Sequence, residues 1–263
     1  MGCCIESTAG SSVDEFEMQF DVAGKVAIYC NTKSTGQGHE TAFAQVAADR
    51  LGLPLDSIRI VEGDPNVKVL GAGSGGSRSM QFGGSAIVLA AREVVRKGTD
   101  LAAKQLEAAV EDIEFEHGRF CIKGTDRAVT LQALIKKHAS ELNSRVQAKH
   151  DPTWPNGCHI AVVEVDEATG MIDVLSYTAC DDAGNIVNHQ LVEGQMHGGL
   201  AQGAGQVLGE HSIYDPESGQ LLTGSFMDYF MPRAGFLGEI TLLDHPVPTA
   251  TNRSEEHTSE LQS

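Results

Sequence analysis

Apolar and polar residues alternate near the start of the chain in the way expected of a β-hairpin. Residues 17–22 and 25–30 alternate on either side of Ala23 and Gly24, and a tight turn at that dipeptide would pair them as antiparallel strands. The same alternation predicts one more strand and two more hairpins: a strand over residues 58–62, a hairpin over 113–115 and 119–122, and a hairpin over 159–165 and 171–179.

Helical spacing of apolar residues predicts helices between these strands. The helical patterns cover residues 43–51, 85–110, 131–142 and the glycine-rich stretch 193–205. Gly98 lies inside the second pattern, where glycine costs about 1 kcal/mol relative to alanine, so we expect another helix to pack closely against it. Residues 144–155 are mostly polar and are predicted as a link. The sequence therefore predicts an α+β fold in two pseudo-related halves, residues 1–145 and 155–252.

Three glycine-rich segments are predicted as loops that open onto helices. The first glycine segment is residues 35–41, the second is residues 73–79, and the third is residues 193–205. Glycine in such places lets backbone N–H groups approach an anionic or heteroaromatic ligand without a Cβ in the way. Three segments of this kind indicate a large polar cofactor held from several sides.

Each segment also has a simpler interpretation. Gln37 could bind the amide-like edge of a pterin or purine, or it could be a turn glutamine in water. Ser77 and Ser79 could bind a phosphate at a helix N-terminus, or they could cap that helix. Gln195 lies among small residues whose spacing would also suit tight helix packing. These alternatives stay open from the residues alone.

Composition and charge exclude several classes of protein. The 263 residues are 41% hydrophobic and 21% charged, which is typical of a globular chain with a substantial core. A formal net charge of −17 argues against nucleic acid or an anionic membrane as partner. The six cysteines form no Cys-x-x-Cys pair, so we expect reduced thiols and assign no role to Cys3 and Cys4.

Familiar side-chain chemistry is not indicated. His39-Glu40 resembles half of a zinc-protease motif, but no second histidine follows one turn later, so no protein metal site is predicted. Asp181, Asp182 and Glu193 are candidate acids, yet turn or capping roles suit their spacing better.

The ends of the chain carry their own expectations. Residues 253–263 match the in-frame translation of a widely used sequencing-library adapter, so we expect the natural sequence to stop at Asn252 and the chain to be an internal fragment. This tail holds one Arg and three Glu, which leaves a net charge of −15 for the rest.

Five motifs, in this order, resemble the molybdopterin-binding large subunit of the xanthine dehydrogenase, aldehyde oxidase and carbon monoxide dehydrogenase family. They are Gly36-Gln-Gly-His-Glu-Thr41, Gly76-Ser-Arg-Ser-Met80, Val163-Glu-Val-Asp-Glu-Ala-Thr-Gly170, Leu191-Val-Glu-Gly-Gln-Met-His-Gly-Gly199 and Gly224-Ser-Phe-Met-Asp-Tyr-Phe-Met-Pro-Arg233. Singly the motifs are weak, but together they are specific. The resemblance covers residues 2–252.

The resemblance implies a set of cofactor-binding residues. The pterin-contacting glutamine of the family falls on Gln37 between Gly36 and Gly38, and a second cofactor glutamine falls on Gln195. The loop that cradles the cofactor falls on Gly75, Gly76, Ser77 and Ser79. The family's general-base glutamate, in a Gly-x-Gly-Glu segment, would lie beyond Asn252, so no catalytic residue is assigned and the chain alone is expected to be inactive.

The resemblance also implies the setting of the whole enzyme. The cofactor would be molybdenum–molybdopterin, in a cytosine dinucleotide form, with iron–sulfur clusters and FAD confined to partner subunits. A cytoplasmic dimer of heterotrimers would hydroxylate an aldehyde, an aromatic heterocycle or a similar small molecule with oxygen from water. Carbon monoxide is an alternative substrate. Two other hypotheses remain: a noncatalytic module for cofactor binding or assembly, and a structural protein in which the glycines serve packing alone.

Overall fold

The structure is a computed structural model that describes residues 1–8, 13–149 and 151–247. The predicted end of the natural sequence at Asn252 and the adapter-derived tail 253–263 lie outside the described residues. Within them, the strands are β1 (Gly2–Ile5), β2 (Val13–Phe20), β3 (Val26–Cys30), β4 (Ile58–Glu62), β5 (Ile113–Glu116), β6 (Arg119–Ile122), β7 (Ala128–Thr130), β8 (Ser144–Lys149), β9 (Asn156–Val165), β10 (Ile172–Asp181) and β11 (Leu237–Asp244). The α-helices are α1 (His39–Leu51), α2 (Ser79–Leu106), α3 (Leu131–Leu142) and α4 (His189–Leu208).

The described chain forms two compact units. The larger unit comprises Ser7–Trp154, Gly184–Asn188 and Val247, and the smaller comprises Met1–Glu6, Pro155–Ala183 and His189–Pro246. Both contain helices and mainly antiparallel sheet, which confirms the predicted α+β class. No helix in the described ranges combines the length and apolar character needed to span a bilayer.

The larger unit is built on a four-stranded sheet in the order β4-β3-β2-β8. Strands β2 and β3 form the first predicted hairpin, and β4 joins β3 in parallel, with Cys30 opposite Glu62. Helices α1 and α2 pack together beside this sheet, and the ring of Phe16 on β2 meets that of Phe43 on α1 edge-on at 5.7 Å. Because β3 runs directly into the first glycine segment, this core fixes the position where that segment begins.

A second sheet of the larger unit explains Gly98 differently from the sequence prediction. Strands β5, β6 and β7 form a three-stranded antiparallel sheet, and a Cβ added at Gly98 of α2 would lie 2.3 Å from Cζ of Phe120 on β6. The close neighbour is therefore an aromatic ring from a strand and not a helix. Phe120 is fully buried, so the glycine provides the space in which its ring packs.

The predicted polar link contains a strand. Strand β8 lies at the edge of the first sheet and pairs antiparallel with β2, with Ser144 opposite Met18 and Lys149 opposite Val13. The buried side chains of β8 include the small residues Ser144 and Ala148. Because small residues contribute little to an apolar pattern, the alternation of this strand was not visible in the sequence.

The smaller unit contains a single four-stranded sheet among its described residues, in the order β1-β9-β10-β11. Strands β9 and β10 are the third predicted hairpin. Strand β1 pairs antiparallel with β9, and β11 pairs in parallel with β10. Neither of these outer strands was predicted from the sequence. The third glycine segment lies entirely within helix α4, which agrees with its helical pattern and not with a loop that precedes a helix.

Candidate cofactor-binding site

The first glycine segment connects β3 to α1 through two backbone positions that suit glycine. Gly36 and Gly38 have φ of 115° and 82°, in a region that side-chain-bearing residues rarely adopt. Gly38 is also the N-cap residue of α1 and provides no side-chain cap, so the helix N-terminus is not closed by a serine or aspartate. A Cβ added at Gly36 would meet no atom within 4 Å, which leaves open space over this backbone.

Gln37 is buried between these glycines, and its amide bonds to its own segment. Its Oε1 accepts hydrogen bonds from the backbone N–H of Thr35 at 2.5 Å and from the Thr35 hydroxyl at 3.2 Å. Its Nε2 donates to the carbonyl of Lys33 at 3.4 Å. Gln37 therefore shapes the first glycine segment in this structure, and its contact with a pterin stays a prediction.

The second glycine segment leads directly into α2, which begins at Ser79 and not near residue 85 as predicted. The first turns of α2 bury polar as well as apolar residues, so the apolar periodicity starts later than the helix. Gly76 and Ser77 both have positive φ, 62° and 55°, and a Cβ added at Gly75 would meet nothing within 4 Å. Ser79 is thus the first residue of the helix, close to its partially positive N-terminus.

The hydroxyl of Ser79 is unusual for a buried group. The residue is 2% exposed, and its Oγ has no hydrogen-bond partner in the structure. A buried hydroxyl without a partner is unfavourable by roughly 1–3 kcal/mol, and a ligand, an ion or a water bound there would remove that cost. The adjacent N-cap residue, Arg78, also provides no side-chain cap.

Two acidic residues at the start of β2 hold the second glycine segment in place. The carboxylate of Asp14 binds Nη2 of Arg78 at 2.5 Å and accepts a hydrogen bond from the backbone N–H of Ala72 at 3.2 Å. Arg78 in turn donates to the carbonyl of Gly73 at 2.9 Å. Glu15 accepts from the backbone N–H of Leu70 at 3.0 Å.

The carboxylate of Glu15 is itself strongly stabilised. Arg145 donates a hydrogen bond to it at 2.7 Å, and this is the main reason that the pKa of Glu15 is lowered from 4.5 to about 2. Sequence analysis singled out neither Asp14 nor Glu15, because the residues that they bind are distant in the chain.

Ser74 joins the second glycine segment to Lys33, two residues before the first segment. The hydroxyl of Ser74 donates to the carbonyl of Lys33 at 2.6 Å, and its oxygen accepts from the backbone N–H of Lys33 at 3.2 Å. Helices α1 and α2, which the two segments precede, also pack against each other. The structure therefore brings Gly36, Gln37, Gly38 and the predicted residues of the second segment together in the larger unit.

His39, within the first glycine segment, is buried, and half-buried Glu62 lies close to it. His39 is fully buried and stacks on Phe43 with ring centroids 5.1 Å apart, and Glu62 Oε2 accepts from the backbone N–H of Ser34 at 2.6 Å. His39 Nδ1 and Glu62 Oε1 are 3.7 Å apart, which is too long for a hydrogen bond.

Burial is the main influence on both groups. It lowers the pKa of His39 and raises the pKa of Glu62, so it disfavours the charged form of each. The pair is therefore best described as a neutral imidazole beside a carboxyl group that protonates readily. The register of β3 and β4, which sets Glu62 opposite Cys30, is the signal that could have placed Glu62 at this site.

Gln195 lies in the other unit, within α4, and is half-buried. Added Cβ atoms at Gly194, Gly198, Gly199 and Gly203 would meet nothing within 4 Å, so among the described residues these glycines do not serve tight packing. Elsewhere in the described ranges, no three His, Cys, Asp or Glu side chains come together as a metal-ion site.

The geometry of the first two segments fits a polar, anionic cofactor. Open space over Gly36 and Gly75 exposes backbone to a ligand, and the unpartnered hydroxyl of Ser79 stands at a helix N-terminus. These are the features by which proteins hold phosphates and heteroaromatic amides in spite of a strongly negative overall charge.

Comparison with known proteins identifies the family of the chain. Residues 1–236 match the family model of the molybdopterin cofactor-binding domain. The chain is 37% identical over 231 residues to the carbon monoxide dehydrogenase large chain of Hydrogenophaga pseudoflava, covering 84% of this chain and 29% of the relative. It is 35% identical over 232 residues to the nicotine 6-hydroxylase large subunit of Paenarthrobacter nicotinovorans, covering 83% and 28%.

Solved structures agree as well. Quinoline 2-oxidoreductase from Pseudomonas putida 86 matches with a TM-score of 0.82 at 30% identity, over 100% of this chain and 37% of that one. The chain spans less than a third of the length of the two curated relatives. With a family model matched over most of its length, the chain belongs to the molybdopterin cofactor-binding domain of molybdenum hydroxylase large subunits.

Proposed function

We propose that this chain is the cofactor-binding part of the catalytic molybdenum subunit of a hydroxylase. The observation that carries the proposal is the unpartnered Ser79 hydroxyl at the N-terminus of α2, in a segment that Ser74 links to the chain leading into α1 and that, like the first segment, has backbone open to a ligand. When bound, molybdenum–molybdopterin supplies two-electron oxidation of a small molecule with oxygen from water. The residues of this chain bind and orient that group.

Each predicted site residue has a defined task in this proposal. The backbone N–H groups of Gly75, Gly76 and Ser77, with the Ser79 hydroxyl, donate hydrogen bonds to anionic oxygens of the cofactor. Gly36 and Gly38 allow the backbone to approach the pterin, and Gln37 offers an amide of matching polarity. Gln195 is proposed as the second cofactor glutamine. None of these residues exchanges a proton with substrate, and the base remains the glutamate expected beyond Asn252.

Substitution of Ser79 tests the site directly. The chain is expressed in a bacterial host that makes molybdenum cofactor, and bound pterin is released, oxidised to its fluorescent form and quantified per chain. Ser79→Ala is expected to lower pterin content about tenfold or more, because it removes a hydrogen bond to a charged group. Ser144→Ala is the matched control, since Ser144 Oγ is equally buried and without a partner but lies on β8.

The possible outcomes distinguish failure of the proposed cofactor-binding role from failure of the Ser79 assignment. Wild-type chain without any pterin would contradict the cofactor-binding role itself. Equal pterin content in Ser79→Ala and Ser144→Ala would exclude a role of the Ser79 hydroxyl in binding the cofactor, but would leave the cofactor-binding role of the chain in place. Gln37→Ala tests the hypothesis that the glycines serve packing only, since that hypothesis predicts no loss of pterin. The nucleotide released on hydrolysis of the bound cofactor identifies its form, for which we propose the cytosine dinucleotide.

For the whole enzyme we propose an aldehyde, an aromatic heterocycle or a similar small molecule as substrate. The similar proteins are named for nicotine, quinoline and carbon monoxide, so carbon monoxide is kept as the alternative substrate. Several of them are large subunits or chains, and one is the gamma subunit of a dehydrogenase complex. This supports partner subunits, which we propose to carry iron–sulfur clusters and FAD in a cytoplasmic dimer of heterotrimers.

A noncatalytic module for cofactor binding or assembly is the second candidate function. It would keep both glycine segments but lack the general base. Sequencing the source locus through the codon for Asn252 distinguishes the two candidates: a Gly-x-Gly-Glu segment shortly downstream supports the hydroxylase, whereas a replaced glutamate leaves the binding module. We also propose residues 1–252 as one domain with halves 1–145 and 155–252, and the same sequencing tests whether the natural sequence stops at Asn252.

A further inference from the structure

Three cysteines lie in one row across the sheet of the smaller unit. Cys3 on β1 is opposite Cys158 on β9, and Cys158 is opposite Cys180 on β10. All three are free thiols in the structure. Cys4, the neighbour of Cys3 in sequence, pairs with Gly157 and points to the other face of the sheet, because successive side chains of a strand alternate.

Cys3 and Cys158 are already in contact. The thiol of Cys3 donates a hydrogen bond to the sulfur of Cys158, and the two Sγ atoms are 3.1 Å apart although 155 positions separate the residues in sequence. Opposed residues of antiparallel strands have Cα atoms about 4.5–5.5 Å apart. A disulfide spans Cα separations of about 4.4–6.8 Å, so the two sulfurs could bond without movement of either strand.

The two thiols differ in accessibility, and the pKa of Cys158 is raised. Cys3 is exposed, whereas Cys158 is half-buried. The hydrogen bond with Cys3 is the main cause that raises the pKa of Cys158, and burial and the nearby sulfur charges raise it further. Cys158 therefore keeps its proton to higher pH, and Cys3 is the sulfur that a small reagent in solution meets first.

We propose that Cys3 and Cys158 form a reversible dithiol–disulfide site that reacts with low-molecular-weight disulfides. The Cys3 thiolate attacks one sulfur of the small disulfide and displaces its other half as a thiolate, which leaves a mixed disulfide on Cys3. The Cys158 sulfur, after losing its proton, attacks the Cys3 sulfur and displaces the second small thiolate. Two protein thiols are oxidised by two electrons, and the small disulfide is reduced to two thiols that take up the two protons.

The bond would fasten β1 covalently to β9. Strand β1 is only four residues long and lies at the edge of its sheet, with β9 as its neighbour. Short edge strands separate readily from a sheet, so a cross-link would keep the start of the chain in register under oxidising conditions. This inference is independent of cofactor binding, because it uses no residue of the proposed cofactor site.

The full chain, fully reduced and freed of reductant, is incubated with oxidised and reduced glutathione at a series of ratios. Free thiols are then alkylated and the intact mass is measured. In the expected product two cysteines are not alkylated. Its mass is about 2 Da below that of a chain with the same alkylated cysteines and two free thiols, because disulfide formation removes two hydrogen atoms. Cys3→Ser and Cys158→Ser are each expected to abolish this product.

Cys4→Ser is the matched control, because it removes the adjacent exposed thiol on the opposite face and is expected to leave the disulfide unchanged. Cys180→Ser is also expected to keep it. The proposal is overturned if the product persists in Cys3→Ser, if Cys158 pairs with Cys180 in the wild type, or if oxidation stops at mixed disulfides. Circular dichroism of each serine variant verifies the fold, and the alanine variant at the same position replaces any serine variant that misfolds.

Discussion

Single carboxylates on β2 organise the proposed cofactor site without belonging to either glycine segment. Asp14 is 3% exposed, and its carboxylate accepts hydrogen bonds from both Arg78 and the backbone N–H of Ala72. Arg78 also lies over the ring of Phe82, with its guanidinium carbon 4.6 Å from the ring centroid. The position of the second glycine segment thus depends on a buried charge pair, for which removal of one partner is costly.

Asp14→Asn is expected to destabilise the larger unit by about 3–5 kcal/mol, because Arg78 would keep its buried charge and lose the carboxylate that balances it. Urea denaturation followed by tryptophan fluorescence or circular dichroism gives the change. Asp49→Asn is the control: Asp49 is exposed and lies 3.8 Å from Arg50, so its loss should change stability by less than about 1 kcal/mol. Equal midpoints for the two variants would exclude the structural role of the Asp14–Arg78 pair.

His39 gives the larger unit a pH dependence of known sign. Its folded-state pKa lies below its ordinary value of 6.5, so the unfolded chain takes up a proton first as the pH falls. The stability associated with the neutral imidazole is present above pH 6.5 and is lost as the pH decreases toward the folded-state pKa. The effect of Glu62 on stability has the opposite pH dependence. Its pKa is raised from 4.5, so the stability associated with its protonated carboxyl is present below pH 4.5 and is lost as the pH rises above that value.

His39→Gln should therefore flatten the decrease in unfolding free energy below pH 6.5 that the wild type shows. Urea denaturation at pH values between 5 and 8 measures both profiles. His117→Asn serves as control, since His117 is 90% exposed in the turn between β5 and β6 and its replacement should retain the wild-type slope. A wild-type slope in His39→Gln would contradict the assignment of a neutral, buried imidazole at this position.

At the scale of elements, the sequence identifies those whose buried face carries large apolar residues. The three predicted hairpins, α1, α3 and β4 are all confirmed, because Phe, Ile, Leu and Val recur in them at the period of the element. Strand β8 and the first turns of α2 escape prediction because small or polar residues occupy buried positions there. Strands β1 and β11 escape because they are largely exposed.

The sequence likewise predicts one part of the candidate site and misses another. Glycine-rich composition predicts where the backbone opens to a ligand, and the first two segments are found there. Ser74, Asp14, Glu15 and Glu62 were not predicted, because each bonds to a residue far away in the chain and only the sheet register brings the partners together. The third segment was described both as a loop and as part of a helical pattern, and the helical prediction is the one confirmed, since glycine content alone does not exclude a helix.

Two glycines in helices provide opposite predictions about packing. Gly98→Ala should destabilise the larger unit by about 1–3 kcal/mol, because the new Cβ would overlap the Phe120 ring and overpacking outweighs the better helix propensity of alanine. Gly203→Ala in α4 should instead stabilise its unit by up to about 1 kcal/mol, since nothing lies within 4 Å of the added Cβ.

Thermal or urea denaturation of both variants tests this contrast. Phe120→Leu combined with Gly98→Ala should recover part of the loss, because the smaller side chain leaves room for the methyl group. If Gly98→Ala raised stability as Gly203→Ala is expected to do, the close approach of β6 to α2 would be refuted.

At the scale of the whole molecule, cofactor binding and turnover are separable properties. The two glycine segments and the charge pair that fixes one of them lie within the larger unit, so the part of the proposed cofactor site that they form lies in one unit. Substrate selection and proton transfer require other groups. The chain spans 29% of the length of the carbon monoxide dehydrogenase large chain that it matches, and our site assignment contains no general base.

We therefore expect that purified chain loaded with pterin shows no turnover of aldehydes, N-heterocycles or carbon monoxide. The measurement is reduction of an artificial electron-accepting dye, normalised to the pterin content of each preparation, with the product of the complete source gene as the positive control. The physical reason is that positioning alone leaves out general-base catalysis, which typically contributes about 10²–10⁴ in rate. Substantial dye reduction by the chain alone would show that a base lies among its own residues, and half-buried Glu62, beside His39, would then be the first carboxylate to replace.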